Sequence, residues 1–328
     1  MEINERVKGS FYGLAIGDAL GVPAEFMHRD EVRKINLQEM EGEDTNFSQK
    51  YNTRWGDIAP KGCWSDDTAM TLAVMDAYCN DDFKYSDIMD NFITWWKTGK
   101  YSSLDYAFGM GGCCVKAMQK YLMTNDINTC GCDNIRENGN GALMRILPTC
   151  LYIRKCNIDL DKKIELLNFV TAITHAHPIS KMADVIYYLF LDNLMNTNDK
   201  YNAFDYIINF DYSKYFDKET IDVYSHILNK EFLKIKDIEE KKNGYVVPTL
   251  EGVLFSVMNN DNFRDSVLCA INLGFDTDTL AAITGSLAGI LYGYNSIPKS
   301  WIRDLRKKDL LDEMVLKFCK KTGYMERK

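Results

Sequence analysis

Apolar residues recur at a helical period along most of this chain, and strand-like alternation is scarce. Val7, Phe11, Leu14 and Ala15 share one face of the stretch from Val7 to Leu20; Ile88, Phe92, Ile93 and Trp96 share another, as do Ile164, Leu167, Val170 and Ile173. Further helices are expected over 102–122, 179–195, 218–240, 249–259, 263–273, 279–292 and 308–321, separated by Gly, Asn, Asp or Pro. The pattern predicts an all-α fold. Within it, the segment from Ala281 to Gly293 carries Ala281, Ala282, Gly285, Ala288 and Gly289, residues small enough to let neighbouring helices approach closely, and is expected at the centre. Residues 28–60 are polar and poorly periodic, with Trp55 and Gly56 near their end, and predict a long loop. The charged run from Lys230 to Lys242 predicts a solvated helical face followed by a turn at Asn243-Gly244.

No linker, low-complexity block or repeat divides the 328 residues, so a single domain over 1–328 is the simplest organisation. Hydrophobic residues make up 46% and no apolar run approaches a membrane span, so no membrane partner is expected. The N-terminus lacks a secretory pattern, which makes the cytoplasm the expected location. A net charge of −8 with interspersed lysines disfavours broad binding to a nucleic-acid backbone, because counterion release needs a basic face. Ten cysteines in such a chain read as reduced thiols. The cluster Cys113-Cys114 and Cys130-x-Cys132 does not have the paired spacing of structural zinc and reads as core or loop thiols.

Two acidic motifs stand out, Ser65-Asp66-Asp67-Thr68 and Asp276-Thr277-Asp278-Thr279. Each opens a helix-like stretch, and either alone is explained as a cap whose acids complement the helix dipole. Both use more acid than a cap requires. Brought together, four Asp side chains would repel and raise one another's pKa, so a fold that converges them needs compensating positive charge, for which divalent cations are the natural source. Carboxylates and hydroxyls are hard oxygen donors, favouring Mg²⁺, Mn²⁺ or Ca²⁺ over Zn²⁺. An EF-hand is excluded because Ala281 and Leu287 stand where Gly and Glu are needed. A D-D-x-x-D motif is excluded because Met70 takes the place of its last Asp.

Five segments in order resemble the ADP-ribosylglycohydrolase family: GLAIGDALGVPAEF over 13–26, WSDDTAM over 64–70, GNGALMRILP over 139–148, THAHP over 174–178, and GYVV over 244–247 followed by NLGFDTDT over 272–279. The likeness spans residues 9 to about 301. It implies an orthogonal helical bundle with a central binuclear metal site, in which Ser65, Asp66, Asp67, Asp276, Asp278 and Thr279 match the ligands of two Mg²⁺ ions, with Mn²⁺ as the alternative. Asp278 or Asp276 would bridge the pair. Such ions can grip ribose hydroxyls and lower the pKa of an attacking water. Glu25 matches the family's acidic residue beside the metals and would transfer a proton; with Asp67 and Asp278 it makes up the expected catalytic set.

The turn Gly139-Asn140-Gly141 can expose backbone N–H groups as a nest for a diphosphate, with Asn140 near ribose or phosphate. His175 matches a position near phosphates and ribose, with His177 the weaker candidate, and Tyr245 falls where the family presents a ring to adenine. Glu137 could assist at the ribose. Arg145 reads either as a phosphate partner or as a buried arginine bonded to helix carbonyls or carboxylates, and is left out of the site. The chain departs from the family pattern at Phe275, where a second Gly is common, and at Pro248, where a polar residue is common. The implied function is Mg²⁺-dependent hydrolysis of the bond linking ADP-ribose to an acceptor, foremost a protein arginine. Serine-linked or other O-linked ADP-ribose, a small ADP-ribosyl metabolite, and a non-catalytic ADP-ribose-binding protein are the alternatives.

Overall fold

A computed structural model describes residues 1–51, 53–55, 58–239 and 244–325, Ser48 by its backbone alone. Sixteen α-helices occur among them. The first three are α1 (Ile3–Gly21), α2 (Arg29–Ile35) and α3 (Phe47–Tyr51), followed by α4 (Asp66–Tyr78), α5 (Ser86–Thr98) and α6 (Gly112–Thr124). The middle of the chain forms α7 (Leu147–Lys155), α8 (Leu160–Ala172), α9 (Pro178–Thr197), α10 (Lys200–Asn209) and α11 (Lys218–Val223). The last group is α12 (Val246–Met258), α13 (Phe263–Ile271), α14 (Thr277–Tyr292), α15 (Lys299–Asp304) and α16 (Lys308–Thr322). Extended pairing among the described residues is limited to two isolated bridges, Cys132 with His175 and Gly139 with Tyr245. None of these helices is long and apolar enough to cross a membrane.

The helix starts follow local chemistry. Asp159, Asp199 and Asn262 accept from backbone N–H groups at the openings of α8, α10 and α13, and Pro178 opens α9 where its missing N–H costs nothing. Pro248 is harmless for the same reason, since it falls in the first turn of α12.

The centre is the antiparallel pair α1 and α14. Gly9, Gly13, Gly17 and Gly21 recur every four residues on α1 and face Gly289, Gly285, Ala281 and Asp278 in turn. A Cβ on Gly13 would stand 2.0 Å from the Gly285 carbonyl oxygen, and one on Gly21 would stand 2.3 Å from Cα of Asp278. The backbones therefore touch, and α14 is central as its small residues predict. Helices α4, α9, α12 and α13 pack around this pair. Gly13→Ala is expected to lower unfolding stability by about 1–3 kcal/mol or more, read from a urea transition. Gly112→Ala, where nothing lies within 4 Å of the added methyl, should change it by less than about 0.5 kcal/mol.

Three expectations from periodicity are corrected. Residues 28–60 hold α2, α3 and a 3₁₀ turn at Glu43–Thr45 rather than one long loop, because Val32, Leu37, Met40 and Phe47 anchor them to the core. The helix expected over 102–122 begins only at Gly112, after the glycine-interrupted stretch 109–112. The helix expected over 218–240 is instead α11 and a separate 3₁₀ segment, Lys230–Lys234, where Asn229 caps a new start. The end of the charged run and Asn243 of the expected turn lie outside the described residues.

Candidate metal and ligand site

Antiparallel packing places the C-terminal end of α1 against the N-terminal end of α14. A 3₁₀ turn at Val22–Ala24 continues from α1 and delivers Glu25, while Asp276 stands at the N-cap position of α14 and Asp278 and Thr279 lie in its first turn. The start of α4 meets the same point with Ser65 at its cap and Asp66 and Asp67 in its first turn. Glu25, Asp66, Asp67, Asp276 and Asp278 are all buried, each 8% exposed or less. Two helix N-termini pointing inward favour these carboxylates but supply only partial charges.

A sixth acid joins them. Asp18, in the last turn of α1 and fully buried, accepts from the Ser65 and Thr68 backbone N–H groups at 2.9 and 3.0 Å and from the Thr68 hydroxyl at 2.6 Å. It thereby caps α4 from a different helix. The Ser65 hydroxyl lies 2.9 Å from Asp18 Oδ1 and 3.0 Å from Asp67 Oδ2, and the Thr279 hydroxyl donates to Asp67 Oδ2 at 3.3 Å.

Burial shifts every member upward, and repulsion adds to it at Glu25, Asp66, Asp67 and Asp278. Removal from water, then the Asp276 charge, pushes Glu25 up to about 8. Burial and Asp18 push Asp66 up to about 7. Burial, then neighbouring carboxylates, raises Asp67 and Asp278 well above the usual carboxylate range. Burial also raises Asp276, against hydrogen bonds led by Asn140. Two groups of three carboxylates have oxygens within 4.8 Å of one another, Asp18, Asp67 and Asp278 in one and Glu25, Asp276 and Asp278 in the other. Asp278 belongs to both. Asp67 Oδ1 is buried without a hydrogen-bond partner. An orphaned carboxylate oxygen inside an all-oxygen cluster fits a hard divalent cation.

The cluster floors a cleft of about 520 Å³, a size suited to a nucleotide-like ligand. Glu25, Asp66, Asp276, Asp278 and Thr279 reach its wall; Ser65 and Asp67 are buried behind it. Gly139, Asn140, Gly141, His175 and Tyr245 line the opposite part. Asn140 donates through Nδ2 to Asp276 Oδ2 at 2.6 Å and to the Thr249 hydroxyl at 3.0 Å, tying the turn to the acids. Neither Gly139 nor Gly141 has the positive φ on which the nest argument relied, and the Asn140 N–H is used by the Gly244 carbonyl at 2.8 Å. Space is the reason for the glycine at 141: a Cβ there would stand 3.0 Å from both Cys114 Sγ and His175 Cε1.

His177 accepts from Ile179 N–H at the start of α9 and lies off the cleft wall, whereas Glu137 sits on the rim in an ion pair with Lys116. Arg145 is fully buried behind His175 and bonded to the Val170 carbonyl near the end of α8. Beside Glu25, Trp55 Nε1 donates to Glu25 Oε2, and the Arg54 guanidinium lies over the rings of Phe26 and Trp55, 4.4 and 4.8 Å from their centres.

The sequence model of the family described as ADP-ribosylglycohydrolase matches residues 1–327. The chain belongs to the ADP-ribosylglycohydrolase family. It is 30% identical over 313 residues to ADP-ribosylarginine hydrolase Tri1 of Serratia proteamaculans (strain 568), covering 95% of this chain and 78% of that one. It is 27% identical over 314 residues to ADP-ribosyl-[dinitrogen reductase] glycohydrolase of Rhodospirillum rubrum, covering 93% and 92%. A solved structure titled ADP-ribosylglycohydrolase-related protein complex superimposes with a TM-score of 0.77 at 24% identity, over 98% and 99% of the two chains, and supports the fold.

Within this glycohydrolase, Phe275 keeps a backbone conformation that a Gly would adopt at no cost. It holds φ 60°, the left-handed region that a Gly adopts freely, and Phe26 holds φ 63° directly across from it. Phe26 N–H donates to the Phe275 carbonyl at 2.5 Å and Phe275 N–H to the Met27 carbonyl at 2.8 Å. These reciprocal bonds fasten the Glu25 loop to the Asp276 loop, at a backbone cost of roughly 1–2 kcal/mol per residue.

Proposed function

We propose that this glycohydrolase cleaves the bond between the anomeric carbon of ADP-ribose and an arginine side chain, with two Mg²⁺ ions held by the acid cluster. The observation that carries the reading is the pair of three-carboxylate groups sharing Asp278 at the floor of the cleft. Asp67 and Asp278 of one group and Asp276 and Asp278 of the other, with Asp66, Ser65 and Thr279 beside them, supply the oxygens; Asp18, third in the first group, holds the Asp67 helix start in place, and Glu25, third in the second, is kept for proton transfer. When bound, Mg²⁺ or Mn²⁺ would neutralise the cluster and polarise a water or the ribose hydroxyls.

Glu25 performs the proton transfer. Its carboxyl is raised by burial and held at Oε2 by Trp55, leaving Oε1 for the departing acceptor nitrogen or for the water. Asn140 fixes Asp276, Gly139 and Gly141 keep the wall open to the diphosphate and ribose, His175 binds beside them, and Tyr245 offers its ring to adenine. Phe26, which lines the cleft, carries the planar Arg54 guanidinium over its ring, and this shows that the ring can stack a guanidinium and supports such an acceptor. The Serratia relative's name carries the same linkage. The substrate is then an ADP-ribosylated protein or a small ADP-ribosylated guanidine, and the ten free thiols accord with work in the cytoplasm.

The test is release of free ADP-ribose from ADP-ribosyl-arginine and ADP-ribosyl-serine peptides, with Mg²⁺ and then with excess EDTA, followed by mass spectrometry. Release from the arginine peptide that stops in EDTA is expected. Exclusive release from the serine peptide would overturn the acceptor, and no release from either would overturn the activity.

A further inference from the structure

We infer that Thr174 and Arg145 are positioning residues that lock His175 in the tautomer protonated on Nε2, so that the imidazole presents a fixed, neutral hydrogen-bond donor to the ligand in the cleft. For the identity of that ligand the inference rests on the ADP-ribosyl reading above; the tautomer itself does not depend on it.

Donors and acceptors decide the tautomer. Arg145 Nη2 donates to the Thr174 hydroxyl oxygen at 2.8 Å, and that oxygen lies 2.9 Å from His175 Nδ1. All three residues are buried. A guanidinium has donors only, so the Thr174 oxygen must accept from it. The hydroxyl proton then has one acceptor among the described residues, His175 Nδ1, which must carry a lone pair. The reverse arrangement, Nδ1–H donating to Thr174, would strand a buried hydroxyl proton. A neutral imidazole with a lone pair on Nδ1 carries its hydrogen on Nε2.

The backbone that carries the ring is pinned as well. Cys132 N–H donates to the Thr174 carbonyl at 2.9 Å and Ala176 N–H to the Cys132 carbonyl at 2.6 Å, which fixes the backbone around His175. Its Nε2 edge faces Gly139, where an added Cβ would stand 3.4 Å away, and makes no hydrogen bond to a described residue. Burial, with the Arg145 charge, pushes the imidazole down to about 3, so the ring stays neutral. The Arg145 charge thus reaches the cleft as polarity at Nε2–H, aimed at a ribose or diphosphate oxygen, without placing a second cation beside the acids that would bind metal.

The test combines ¹⁵N NMR of the histidine rings in the full chain with ADP-ribose affinity. In the wild type, the His175 signals, assigned by their loss in His175→Gln, should show an unprotonated Nδ1 and a protonated Nε2. Thr174→Val should give mixed tautomers and weaken ADP-ribose about tenfold, the loss of one hydrogen bond to a charged or strongly polar group, while Thr174→Ser restores both. A protonated Nδ1 in the wild type, or a Thr174→Val variant with wild-type tautomer and affinity, would overturn the inference. Failure of the wild type to bind ADP-ribose would instead remove the ligand reading, with the tautomer result still decisive for the relay.

Discussion

Asp278→Ala is expected to abolish turnover while the helical circular dichroism is retained, and Asp67→Ala to do the same. Asp278 is the one residue common to both carboxylate groups, so its loss opens both positions at once. Metal chemistry of this kind contributes several kcal/mol to the transition state, and each 1.36 kcal/mol is tenfold, so kcat should fall by about 10³ or more. The stability signature is sharper still. A carboxyl whose folded pKa is raised, as burial and Glu25 raise that of Asp278, disfavours folding once the pH exceeds its unfolded value. Removing it therefore relieves the metal-free chain near neutral pH, and the variant should melt at or above the wild type in EDTA. In Mg²⁺ the order should invert, because the wild type gains binding energy and the variant does not. Turnover at the wild-type rate in either variant contradicts the metal assignment.

Glu25→Gln separates proton transfer from binding. The amide keeps the shape of the side chain and an oxygen for the Trp55 Nε1 donor, but it cannot carry a proton between leaving group and water. Loss of a positioned acid or base lowers kcat by about 10²–10⁴, and the affinity for ADP-ribose should change by less than about threefold. The defect should shrink on a substrate whose leaving group needs no proton, such as an ADP-ribosyl phenol of low pKa. An unchanged kcat on the arginine-linked peptide would remove Glu25 from the mechanism.

The two acidic motifs were legible because each packs several carboxylates and hydroxyls into one helical turn, a density that capping alone does not explain. Asp18 was not. It is a single acid in an apolar helix, inside a segment whose family likeness is evident but whose own spacing carries no metal pattern, and only the tertiary approach of α1 to α4 reveals that it caps Ser65 and Thr68. The close contact of α1 and α14 was half legible: the small residues of α14 were read, while the four-residue spacing of Gly9, Gly13, Gly17 and Gly21 carries the other half. Periodicity overran before Gly112 and beyond Val223, where buried residues such as Phe108 and Phe232 imitate helical stripes in segments that turn. The sequence singles out the Gly139-Asn140-Gly141 turn for a conformational reason, whereas Gly141 lines the cleft for a steric one that only the neighbouring His175 and Cys114 side chains supply.

The most direct measurement is the number of Mg²⁺ ions bound per chain, counted by native mass spectrometry after chelation and reloading. The account predicts two in the wild type and fewer in Asp278→Ala. A wild-type chain that binds none, yet releases ADP-ribose from the arginine-linked peptide undiminished in EDTA, would contradict it.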